Sequence, residues 1–132
     1  MKQLGRNMKN SIVDYGAFKS LSTDDFIEKV EEGCTIIDVR RQDEWDYFGV
    51  IEGSHKITFF DEVGQYDAQA FMDAFTKVVT SKEQPFVLVC AHANRTKSIG
   101  EFLGNKMGYQ HVYELDGGIN YGWIDKGYST VK

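Results

Sequence analysis

Cysteine is scarce in this chain of 132 residues, occurring only as Cys34 and Cys90. Two are too few to staple a small scaffold, so the fold must rest on a buried apolar core. They are also badly placed to bond each other. Cys34 precedes an apolar run and Cys90 ends one, which puts them at opposite edges of a parallel sheet. A strand length of about 15 Å then separates them, where a disulfide tolerates about 7 Å at most. Reduced thiols suit a cytoplasmic protein. His55 and His111 are not grouped with the cysteines at ligand spacing, so no structural metal and no cofactor is expected. No stretch approaches the roughly 20 apolar residues of a membrane span, and residues 1–10 hold no apolar core of signal-peptide length. Neither membrane insertion nor secretion is expected. Positive charge is not in excess either: the formal net charge is −5 with acidic and basic residues mixed, a poor surface for nucleic acid.

What is present reads as one domain, large enough to bury about two-thirds of its unfolded surface. Residues 1–19 carry Ile12, Val13, Tyr15 and Phe18 without a clear period. They are expected to form an extension, available for folding back or for homodimer formation, ahead of a single domain over 20–132. Ser22-Thr23-Asp24-Asp25 has helix-start chemistry, Phe26, Ile27 and Val30 supply a stripe, and Gly33 stops the helix. A buried strand follows at Thr35–Val39, and Gly49 and Gly53 suit turns. His55–Phe60 is expected as a short strand, with Phe59 and Phe60 in the core or at a substrate mouth. The spacing predicts a helix over 67–79 that buries Phe71, Ala74, Phe75 and Val78. The single proline, Pro85, opens a strand ending at Cys90, a place where its missing donor is tolerated. Ile99, Phe102, Leu103 and Met107 then share a helix face. On that helix Gly100 and Gly104 permit close packing, and Gly108 ends it. Tyr109–Leu115 gives the last strand and Asp116-Gly117-Gly118 the turn beyond.

The junction after Val87-Leu88-Val89 is where chemistry concentrates. An apolar strand stops at Cys90, the loop Ala91-His92-Ala93-Asn94-Arg95-Thr96 follows, and a helix starts at once. Such a loop lies at the carboxyl edge of a parallel sheet, where unpaired backbone N–H groups face outward. Those donors and Arg95 favour a thiolate, the reactive form of cysteine. The alternative, Cys90 as apolar filler, leaves the polarity of the loop without a purpose.

Cys90 and Arg95 form Cys-x4-Arg, which resembles the active-site loop of the rhodanese family of sulfurtransferases. Cysteine phosphatases use Cys-x5-Arg around a larger tetrahedral phosphate, and here that position is Thr96. Two more blocks carry the resemblance. Asp38-Val39-Arg40 leads through Glu44 to Gly49-Val50-Ile51-Glu52-Gly53-Ser54, with Val50 where the family has histidine. Gly108-Tyr109-x-x-Val112-Tyr113-x-Leu115-x-Gly117-Gly118, with Trp123 and Gly127 following, matches the C-terminal block.

The resemblance spans residues 20–130 and implies a three-layer α/β fold, a central parallel five-stranded sheet with helices on both faces. It also implies a persulfide on Cys90, stabilised by loop donors from Ala91, His92, Ala93, Asn94 and Thr96. Arg95 would organise the loop or orient an anionic donor. Asp38, Arg40 and Gly118 would support the active edge, although capping and salt-bridging is the plainer reading of the first two. The implied partners are a small sulfur donor and a thiol or cyanide-like acceptor. Ala91 and Ala93 stand where many active members have arginine and glycine, which shifts the expected donor from dianionic thiosulfate toward persulfide or polysulfide. A protonated His92 could restore a charge. The alternative is a rhodanese-like binding or regulatory module with little turnover.

Overall fold

A computed structural model describes residues 12–132 of the chain. Six strands make one sheet: β1 (Ile12–Asp14), β2 (Lys19–Leu21), β3 (Thr35–Asp38), β4 (His55–Lys56), β5 (Phe86–Val89) and β6 (Val112–Leu115). Their spatial order is β1-β2-β6-β5-β3-β4. β2, β6, β5, β3 and β4 are mutually parallel, and β1 joins β2 antiparallel at the edge. The expected five parallel strands are therefore present, with a sixth added. That sixth strand comes from the stretch expected as an extension, whose residues 1–11 lie outside the described residues.

The central strands are apolar on both sides because helices cover both faces of the sheet. Alternation sends Ile37 and Leu88 to one face, with Phe71, Phe75, Ile99 and Leu103. Ile36, Val87 and Val89 go to the other, with Phe26, Leu115 and Ile119. Helix α1 (Thr23–Glu31) is capped by Ser22, whose hydroxyl accepts from the Asp25 N–H at 3.2 Å. Helix α3 (Ala68–Phe75) starts at Asp67, which caps Ala70 N–H at 3.0 Å.

That helix ends earlier than its spacing predicts. The Thr76 hydroxyl bonds back to the Met72 carbonyl at 2.8 Å, and β-branched Val78 and Val79 follow. A turn replaces the last helical turn, so Val79 is buried, Val78 is half-buried and Ala74 is exposed. The strands expected over His55–Phe60 and Tyr109–Leu115 are also shorter. Ile57 and Phe59 N–H still bond the carbonyls of Asp38 and Val39 beside β3, and Tyr109 N–H turns back to Leu103.

Helix α4 (Arg95–Glu101) runs on into a π-helical turn, Phe102–Lys106. The two glycines on this segment do permit close packing: Gly100 lies against the Phe18 ring and Gly104 against the Ala17 carbonyl. No helix among the described residues is long and apolar enough to cross a membrane.

Candidate functional site

Parallel strands deliver their carboxyl ends to one edge of the sheet. Asp38 pairs with Val89 and Leu88 with Glu114, so Arg40, Cys90 and the Asp116-Gly117-Gly118 turn emerge side by side. Cys90 closes β5 and is only 1% exposed. The carbonyls of Cys90 and Ala91 accept from Ile119 and Asn120 N–H at 2.8 and 3.0 Å, in helix α5 (Gly118–Gly122). In a trans peptide the N–H points opposite to the carbonyl, so the donors of Ala91 and His92 face away from α5. This close seat explains Gly118. Its φ is +65°, and a β-carbon there would collide with the Ala91 and Cys90 carbonyls.

Ala93 adopts a φ of 65°, alone among the non-glycine residues described, and is 3% exposed. Its carbonyl accepts from Lys97 Nζ at 3.2 Å. The loop thus makes its reverse turn at an alanine, at a position that favours glycine.

Arg95 is committed to a partner from another element. Its two terminal nitrogens donate to the two oxygens of Glu44 at 2.8 Å each, a fork that ties α4 to α2 (Gln42–Phe48). Burial pushes the Glu44 carboxyl up. The Arg95 hydrogen bonds, the Arg41 N–H and both positive charges outweigh that and hold it below its ordinary value. In turn the Glu44 hydrogen bond holds Arg95 firmly charged, and the neighbouring Cys90 adds in the same sense.

Asp38 and Arg40 form a fully buried ion pair beneath this edge, with Nη2 to Oδ2 at 2.7 Å. Asp38 also accepts from Trp45 Nε1 at 3.0 Å, and Arg40 donates to the Gly49 carbonyl at 2.8 Å. The pair fixes the mouth of α2 and so the base from which Glu44 reaches Arg95.

Glu114 is the participant that sequence reasoning left within a strand. It is fully buried, accepts from Thr96 Oγ1 at 2.6 Å and from Lys97 Nζ at 2.7 Å, and sits on the strand beside β5. Thr96 Oγ1 lies 3.8 Å from Cys90 Sγ, so one chain of contacts links carboxylate, hydroxyl and thiol. A charged residue inside the apolar run Val112–Leu115 of a central strand was the available signal.

His92 is exposed, contacts Asn120 at 3.1 Å between Nε2 and Nδ2, and lies against the Tyr121 ring. Asn94 is exposed and borders, with Arg95, a cavity whose far wall is Phe60. Phe59 belongs to the core, so of that aromatic pair only Phe60 reaches the mouth. Cys34 lies away from the site, and burial pushes its thiol up to about 11, the Lys29 charge opposing. Both cysteines are free.

Comparison with known proteins agrees with this fold. Residues 22–125 match the sequence model of the Rhodanese-like domain. A rhodanese-related protein from Thermoplasma volcanium is 25% identical with a TM-score of 0.61, over 83% of this chain and 93% of that one. The polysulfide-sulfur transferase homodimer of Wolinella succinogenes is 23% identical with a TM-score of 0.65, over 86% and 77%. A thiosulfate sulfurtransferase from Pseudomonas aeruginosa is 19% identical with a TM-score of 0.65, over 83% of this chain but 19% of that one. No curated protein matches the chain.

Proposed function

Because the chain belongs to the rhodanese-like domain family, we propose that it is a sulfurtransferase that carries a sulfane sulfur on Cys90 between a small donor and a thiophilic acceptor. The observation that carries this reading is the loop itself. A single thiol opens a turn whose first carbonyls are pinned outward to α5 and whose last residue, Arg95, is locked by Glu44. That leaves the N–H groups of Ala91, His92, Ala93 and Asn94 as the groups available to a sulfur-borne negative charge, since the Thr96 hydroxyl donates its proton to Glu114.

In the first half-reaction the Cys90 thiolate attacks the outer sulfur of a donor R–S–SH. The new Sγ–S bond uses the thiolate electron pair, the S–S bond of the donor breaks, and R–S⁻ leaves with the bonding pair. Cys90 then bears a persulfide, and no outside oxidant is needed. In the second, a thiolate or cyanide attacks the terminal sulfur and the Cys90 thiolate leaves. Asp38, Arg40 and Gly118 act as supports of the loop and touch no reacting atom. Two free thiols fit a reducing compartment, and we place the protein in the cytoplasm.

A binding or regulatory module is the second reading, favoured by the 1% exposure of Cys90. The two separate in a turnover assay with polysulfide as donor and cyanide as acceptor. Thiocyanate formation that is lost in Cys90→Ser is the expected result, and rates equal to those of Cys90→Ser overturn the enzyme reading. No appreciable hydrolysis of p-nitrophenyl phosphate accompanies it, since the loop is one residue short of the phosphatase pattern.

A further inference from the structure

The cavity beside the loop measures about 440 Å³ and is bounded by Arg41, Phe60, Asp61, Glu62, Asn94 and Arg95. Its size and its aromatic wall suit a small organic group better than a bare inorganic anion. Two guanidinium groups line it, and both are already matched. Arg41 makes a fork on Asp43 at 3.0 and 3.0 Å, and Arg95 makes one on Glu44 at 2.8 and 2.8 Å. The Asp43 hydrogen bonds, and then the charges of Glu44 and Glu62, hold Arg41 charged.

Asp61 is kept in place by the N–H groups of Val63 and Gln65, at 3.0 and 2.8 Å. Two positive charges thus face four carboxylates, those of Asp43, Glu44, Asp61 and Glu62. Lys97, on the same helix as Arg95, is engaged by Glu114 and the Ala93 carbonyl. An anionic donor entering here finds no unmatched positive charge and meets an excess of negative charge.

We propose that this cavity seats the organic tail of the sulfur donor and selects small persulfides whose tail is not anionic, discriminating against thiosulfate and carboxylate-bearing donors. The proposal rests on Cys90 being the sulfur carrier. Glu62 is its main selectivity determinant, because Asp43 and Glu44 are paired with arginines and Asp61 holds its turn.

The test uses the full chain and three matched persulfides, with aminoethyl, hydroxyethyl and carboxyethyl tails. The readout is the rate at which Cys90 gains sulfur, followed by intact mass in wild type and in Glu62→Lys. Comparing ratios between the two proteins cancels the intrinsic reactivity of each donor. Reversing one exposed charge is expected to raise the carboxyethyl-to-hydroxyethyl ratio about threefold to tenfold, and to lower the aminoethyl ratio, with both changes shrinking in high salt. Unchanged ratios while Cys90 still loads overturn the inference alone. Failure of every donor to load wild-type Cys90 overturns the carrier reading and the inference with it.

Discussion

At the scale of single residues, the two cysteines differ by what surrounds them. Burial raises the Cys34 thiol to about 11, against the opposing pull of Lys29. Cys34 therefore stays protonated and unreactive at neutral pH, and sulfur should not accumulate on it. The same shift fixes a pH dependence. A thiol whose value is raised by folding contributes stability below its unfolded value near 8.5, and loses that contribution as pH rises toward 11. Cys34→Ala should flatten the alkaline limb of a stability-versus-pH curve between those values, measured by urea unfolding. An alkaline limb identical to wild type would contradict the assignment. Ala93 offers a second check. Its φ of 65° is tolerable for alanine but not for a β-branched side chain, so Ala93→Val should lower stability by roughly 2 kcal/mol or more. Nothing in the residue pattern alone marks Ala93 as a reverse turn. Only the family resemblance does, by placing glycine there.

At the scale of elements, the loop is held from two sides. On one side, α5 receives the carbonyls of Cys90 and Ala91 at 2.8 and 3.0 Å, with Gly118 pressed against them. Gly118→Ala forces either the loop or α5 to move, and should cost about 2–3 kcal/mol together with most of the sulfur transfer. On the other side stands the Glu44 fork. Glu44→Gln removes the charge that Arg95 is matched to in a partly buried setting, and should cost about 1–3 kcal/mol in chemical denaturation. Because folding lowers the Glu44 carboxyl, the pair stabilises above its unfolded value near 4.3 and fades as pH falls through the lower folded value. The loss on mutation should therefore be present at pH 7 and should vanish in acid. An equal loss at both would show that packing, not charge, carries the effect. The element order from α1 to β6 and the Cys90 loop were legible in apolar runs and spacing. The short α3 was not, because the Thr76 back-bond competes with a helix that the spacing of Phe71 and Phe75 supports.

At the scale of the molecule, parallel strands place the candidate site at one edge while both faces of the sheet are filled. That arrangement was readable from the strands at Thr35–Asp38, Phe86–Val89 and Val112–Leu115, each an apolar-rich run with polar residues at or just beyond its carboxyl end. The partners across the chain were not. Glu44 with Arg95, and Glu114 with Thr96 and Lys97, are brought together by strand order, which spacing along the sequence does not encode. Nor did spacing reveal that Lys19–Leu21 would join the parallel sheet beside β6, with Ile12–Asp14 as its antiparallel edge.

The central claim is that Cys90 is the sulfur carrier, and site-resolved mass spectrometry tests it most directly. Protein incubated with a small persulfide and then mapped by peptide should show one added sulfur atom on Cys90, removed by reductant and absent from Cys34. Added sulfur on neither cysteine, or equal loading on both, would contradict the account.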